Sequence, residues 1–228
     1  MLKGIAWDLD GTLVQFQLDY KRARNAARAI YETNGLPKGL LTENHLIIQM
    51  TQIASDYFEK EAQFPQTEII RIKKAVDDAV IEVEADAAQM AIPMKGITSV
   101  LLFSQKNRIK AGILTYNTKP NTILSLERAG ILDYFPDHEL IMGRDCVKHP
   151  KPHPDHIRCL LEVMKLTPAE ICVIGDHPRD IEAANNVQAR SIAIISRDHR
   201  ADEFKTEYTC DEHEIANTLP RILAEFMK

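Results

Sequence analysis

Apolar and polar positions alternate along this chain in two different rhythms. Short unbroken apolar runs at residues 2–8, 109–115, 139–142, 171–175 and 191–195 have the length and bounding turns of strands buried on both faces. Between them lie stretches of helical character, such as Asn121–Ala129 and Pro154–Lys165. That alternation predicts an α/β fold, a parallel sheet with helices on both faces. Residues from about 19 to 92 break the rhythm, being rich in Ala, Glu, Lys and Gln, with apolar positions at helical spacing and no run that reads as a strand. Thr42 to about Lys60 and Thr67 to about Met90 are the longer helices expected there, Gly35-Leu36-Pro37-Lys38-Gly39 is an internal turn, and the segment ends near Pro93 and Gly96. The expected organisation is a core of residues 1–15 and 93–228, with a helical insertion of residues 16–92.

Charge narrows the partners. The 228 residues carry 28 Lys and Arg against 33 Asp and Glu, and no dense basic run is present to neutralise a series of phosphates, which argues against nucleic acid and anionic membranes. Cys146, Cys159, Cys172 and Cys210 form no C-x-x-C pair and read as free thiols of a reducing compartment. Met1 to Trp7 meets two aspartates before any apolar stretch of signal-peptide or membrane-span length develops, so the expected location is cytoplasmic. Oligomeric state is not legible in the sequence.

Four segments carry candidate chemistry. In Asp8-Leu9-Asp10-Gly11-Thr12, two carboxylates stand two positions apart at the end of the first expected strand, on the same side of an extended backbone. Gly11 provides a turn with backbone amides available to an anion. In Gly175-Asp176-His177-Pro178-Arg179-Asp180, Asp176 ends a strand and Asp180 enters a helix. Taken alone, the first segment also fits a turn with solvated aspartates, and the second fits a helix cap followed by Pro at the first helical position. Together, parallel strands bring both to one edge of the sheet, where several carboxylates repel unless a cation lies among them. An all-oxygen ligand set favours Mg²⁺ over zinc. Thr115, at the end of the second core strand, and Lys151, in His149-Pro150-Lys151-Pro152-His153-Pro154-Asp155, add a hydroxyl and an ammonium suited to a phosphate dianion. Each also reads individually as a turn cap or a solvated lysine, and His153 reads as a surface residue.

In type and chain order these segments resemble the four signature motifs of haloacid dehalogenase superfamily phosphatases, over nearly the whole chain. Asp8 and Asp10 fall on the D-x-D-G-T motif, Thr115 on the strand-end Ser or Thr, Lys151 on the K-P-x-P-D lysine, and Asp176 with Asp180 on G-D-x-x-x-D. Trp7 stands where Phe is usual, His177 where Ser is usual, and Asn186-Val187-Gln188-Ala189 where an Ala-Gly turn is usual. The resemblance implies a Rossmann-like parallel sheet core with an inserted all-helical cap, as in phosphoglycolate phosphatases and β-phosphoglucomutases. It also implies an Mg²⁺-dependent phosphatase of a small phosphorylated metabolite, such as phosphoglycolate, a sugar phosphate or a nucleotide. In that reading Asp8 is the nucleophile and Asp10 the acid and base. Thr115 and Lys151 hold the phosphoryl group, and Asp8, Asp10 through its carbonyl, Asp176 and Asp180 surround the metal. A β-phosphoglucomutase-type phosphomutase and a non-catalytic metal-binding interaction protein on the same fold remain alternatives. A receiver domain is disfavoured by chain length and by the helical insertion.

Overall fold

The computed structural model describes residues 1–15, 19–197 and 199–228. Two compact units emerge, Met1–Gln17 with Ala88–Lys228, and Leu18–Ala87. The junction expected after residue 15 falls on residues 16–18, outside the described residues. The return division, Ala87/Ala88, lies in the last turn of a helix.

The larger unit begins with β1 (Gly4–Trp7), and every residue of that strand is buried. The smaller unit follows as α1 (Tyr20–Thr33), α2 (Ile47–Lys60) and most of α3 (Gln66–Gln89). The chain then continues through α4 (Ile97–Lys106), β2 (Lys110–Leu114), α5 (Lys119–Arg128), β3 (Ile141–Met142), α6 (Pro154–Met164) and β4 (Ile171–Gly175). It ends with α7 (Pro178–Asn185), β5 (Arg190–Ile195), β6 (Thr209–Asp211) and α8 (Ile215–Phe226). Six strands form one sheet in the order β3-β2-β1-β4-β5-β6, and every pairing is parallel.

Side-chain alternation divides the core between the two sheet faces. Ile5 and Trp7 of β1, Ile113 of β2 and Ile174 of β4 share one cluster with Leu101 of α4, Leu126 of α5 and Leu219 of α8. Ala6, Leu114 and Val173 face the other way, among Ile157 and Leu160 of α6 and Ala184 of α7. A sheet covered on both faces needs apolar residues at consecutive strand positions, which is why these strands were legible as continuous runs.

The helical unit has its own core around Tyr31, Met50, Phe58, Ile69 and Ile72. Phe58 and Phe64 stack there with centroids 5.0 Å apart. Two boundaries and one added strand differ from expectation. The helix expected from Thr42 starts at Ile47, because local side-chain bonds hold the preceding backbone in turns. Thr42 N–H donates to His45 Nδ1 at 3.1 Å, and Leu46 N–H to Gln49 Oε1 at 2.8 Å. In the strand expected at 139–142, only Ile141 and Met142 pair, since Asp137 caps a 3-10 turn over His138–Leu140. β6 was not anticipated: its three residues are exposed, buried and exposed in turn, too short a pattern to register as an apolar run.

Candidate active site

The strand order places β1 at the centre, with β2 and β3 added on one side and β4 to β6 on the other. Loops leaving β1 and β4 therefore diverge, and the crevice between their carboxyl ends is where such sheets bind ligands. Asp8 follows β1, and its N–H donates to Ile174 O of β4 at 2.9 Å. Asp176 follows β4, and Thr115 follows β2. Since Trp7 is in register with both Ile113 and Ile174, all three residues reach the same sheet edge.

Two glycines allow the loops to close on the carboxylates. Gly11 has φ +70°, and a Cβ there would stand 2.1 Å from Asp176 Oδ2, so a larger residue suffers both backbone strain and collision. A Cβ on Gly175 would stand 2.2 Å from Asp180 Oδ2. Asp180 itself sits in the first turn of α7, where its Oδ2 accepts from His177 N–H at 3.1 Å. His177 is the N-cap and Pro178 the first helical residue, so the capping role and the site role coexist in one segment.

Lys151 joins the pieces. Only 4% of this residue is exposed, and its Nζ lies 2.6 Å from Asp8 Oδ1, 2.6 Å from Asp180 Oδ1 and 2.8 Å from Leu114 O. All three ammonium hydrogens thus have acceptors. The solvated-lysine alternative does not describe this residue. Thr115 is also buried, and its hydroxyl accepts from Asn117 N–H at 3.1 Å, which is the turn-capping behaviour anticipated as its alternative role. Asp10 stands apart from the tight carboxylate group, and its Oδ2 accepts from Asn117 Nδ2 at 2.7 Å.

Carboxylate oxygens of Asp8, Asp176 and Asp180 lie within 4.8 Å of one another. Three acids face one ammonium, so the fully ionised cluster carries two negative charges in excess. Burial, and next the Asp180 carboxylate, push the Asp8 carboxyl up to about 6 against the pull of Lys151. Burial followed by Asp8 and Asp180 raises Asp176 as well. Burial alone would lower Lys151, but Asp180 and Asp8 outweigh it and hold the ammonium above its ordinary range. Strain of this kind is what a divalent cation relieves, so charge and donor type both fit a bound metal ion.

Three supporting residues had escaped the sequence reading. Asn117 holds Asp10, the Tyr116 hydroxyl donates to Lys151 O, and His156 braces the Lys151 backbone. His156 Nδ1 accepts Lys151 N–H at 3.2 Å, and its Nε2 pairs with Met142 O at 3.0 Å. Burial and then the Lys151 ammonium pull this imidazole down to about 4, so it is neutral at physiological pH. Its spacing of four from Leu160 and eight from Met164 places it on the buried stripe of α6, the signal that was available in the sequence.

Comparison with known proteins bears on family and fold. The sequence model of one family, described as haloacid dehalogenase-like hydrolase, matches residues 5–194. A phosphoglycolate phosphatase of Shigella dysenteriae is 25% identical over 214 residues, covering 85% of this chain and 81% of its own. Among solved structures, a HAD hydrolase, family IA, variant 3, from Entamoeba histolytica superposes with a TM-score of 0.71 at 16% identity, over 100% of both chains. A β-phosphoglucomutase from Clostridium difficile does so with a TM-score of 0.67 at 19% identity, over 100% of this chain and 98% of its own. At such identities the two structures speak for the fold.

Proposed function

The chain belongs to the haloacid dehalogenase-like hydrolase family; from that premise we propose that it is a phosphatase of the phosphoglycolate phosphatase and β-phosphoglucomutase-like subgroup, hydrolysing a small phosphomonoester through an aspartyl-phosphate on Asp8. The observation that carries this reading is the buried cluster in which Lys151 Nζ bonds Asp8 and Asp180, each at 2.6 Å, beside Asp176. Phosphoglycolate, a sugar phosphate or a nucleotide is the substrate class, a choice supported by the activity named for the Shigella relative.

In this account the Asp8 carboxylate attacks phosphorus in line, forming a P–O bond as the bond to the leaving oxygen breaks. Asp10, held by Asn117, gives a proton to the leaving oxygen and later takes one from the water that attacks the aspartyl-phosphate. Lys151 orients Asp8 and counters its charge. For Lys151 to donate to a phosphoryl oxygen as well, that oxygen must displace one of its three present acceptors. Thr115 contributes its hydroxyl at the neighbouring strand end. Asp8, the Asp10 carbonyl and Asp176 are the groups we assign to Mg²⁺, with Asp180 behind them; bound there, the ion supplies positive charge to the carboxylates and to a phosphoryl oxygen. We read residues 16–92 as the family's cap insertion, and we place the protein in the cytoplasm, a location supported by its four free thiols.

The test is phosphate release from a panel of phosphomonoesters, with Mg²⁺ or with EDTA, for the native protein and Asp8→Asn. The reading requires Mg²⁺-dependent release that the substitution abolishes. Release unaffected by either would overturn it.

A further inference from the structure

Outside the carboxylate site, one other group of ligand-type side chains converges among the described residues. His149, His153 and Asp155 each offer a ligand atom, all within 4.8 Å of one another, on the loop that carries Lys151 and enters α6. The sequence here is His149-Pro150-Lys151-Pro152-His153-Pro154-Asp155. Prolines at alternate positions restrict the backbone, so the arrangement costs little further ordering on binding an ion. Lys151 points into the protein, whereas the side chains of His149, His153 and Asp155 remain 46%, 48% and 40% exposed.

A single oxygen, Asp155 Oδ2, receives both rings: His149 Nδ1 lies 2.9 Å away and His153 Nδ1 lies 3.3 Å away. A hydrogen bond accounts for the first contact. It does not account for the second, because His153 Nδ1 already accepts Asp155 N–H at 3.2 Å as the N-cap of α6. A neutral ring has a single lone pair at Nδ1, so an ion bound there takes the place of that cap bond and at the same time relieves the close approach of the nitrogen to the carboxylate oxygen. The two imidazoles also face each other, with centroids 4.6 Å apart and an interplanar angle of 39°.

We propose that His149, His153 and Asp155 form a second metal site, for Zn²⁺ or a similar imidazole-preferring transition ion, that staples the Lys151 loop from its outer face. Bonds of about 2.0–2.1 Å at tetrahedral angles set neighbouring ligand atoms roughly 3.3 Å apart, close to the spacings about Asp155 Oδ2. Two imidazoles and one carboxylate suit zinc, nickel or copper, whereas the oxygen-only cluster at the sheet edge suits Mg²⁺. Three protein ligands leave a coordination position for water.

The experiment is a calorimetric titration of Zn²⁺ into metal-stripped protein held in saturating Mg²⁺, paired with NMR of the imidazole nitrogens. The native protein is expected to take up one Zn²⁺ in the micromolar range, with the resonances of His149 and His153 shifting together. His149→Gln and His153→Asn, the latter keeping a side chain able to cap α6, each weaken uptake at least tenfold. Mg²⁺-dependent phosphate release by His149→Gln stays at the native level, which separates this site from the hydrolytic one. Zinc uptake with unchanged affinity in both variants, unshifted imidazoles, or no uptake overturns the proposal.

Discussion

One set of ion pairs in the sheet unit is buried, whereas the pairs described in the helical unit lie at its surface. In the helical unit they pair across the surface: Arg22 with Asp86 at 2.6 Å, Arg71 with Glu68 at 2.6 Å and Lys74 with Asp78 at 2.9 Å, all well exposed. Such pairs add little, since water screens them and long side chains lose freedom in making them. In the sheet unit, Lys151 meets Asp8 and Asp180 at the same 2.6 Å, but side-chain exposure there is 4%, 11% and 1%. Equal distances therefore carry unequal consequences. The buried set is costly to assemble and more costly to leave half made, and the chemistry is assigned to that set.

The comparison is most sharply broken by removing the central cation. Lys151→Met leaves Asp8 and Asp180 buried without their counter-charge, and the expected loss is about 3–5 kcal/mol in urea denaturation without metal. Added Mg²⁺ should restore part of it. A stability equal to the native protein's would mean that the cluster is not ionised as described.

A comparable loss confined to the other unit is expected from Phe58→Ala, about 3–5 kcal/mol for the cavity left in the helical core. Trp7 is the chain's one tryptophan and is buried in the sheet unit, so its fluorescence reports that unit alone. The far-UV dichroism transition should move to lower denaturant while the Trp7 transition stays in place. Coincident movement would show that the units unfold as one.

Acid should reveal His156. Its pKa lies near 4 in the folded protein against an ordinary 6.5, so the unfolded chain takes up the proton first as pH falls. Its contribution is complete above about pH 6.5 and is lost between there and pH 4, on the order of 3 kcal/mol. Denaturation of native protein and His156→Gln across that window should give a steeper fall for the native chain; parallel curves would contradict the assignment.

Smaller still is the effect of Asn117→Ala, which frees Asp10 without removing it. A fall in kcat on the order of tenfold is expected. A change in KM alone would assign Asn117 to binding instead.

The same contrast explains what the sequence disclosed. Asp8 and Asp176 were visible because a strand buried on both faces forms an apolar run, and the residue that ends the run stands at the sheet edge; Asp10 and Asp180 were visible only by their spacing from those two. Lys151 was visible only through motif order: nothing local indicated that a lysine among prolines would be buried. Asn117 and Tyr116 were missed because their roles are hydrogen bonds to residues distant in sequence, and His156 because its bond to Lys151, five positions away, depends on how the intervening loop folds, although helical spacing placed it inward. Elements set by very local competition, such as the Thr42–Leu46 turns, and by edge pairing alone, such as β6, left no periodicity to read.

The central claim, that Asp8 receives the phosphoryl group, is tested most directly by acid-quenching the enzyme during turnover of its best substrate and mapping modified peptides by mass spectrometry. The account predicts a hydroxylamine-labile phosphoryl group on Asp8, accumulating further in Asp10→Asn and absent from Asp8→Asn. Steady turnover with no phosphoryl group on Asp8, or with one on another residue, would contradict it.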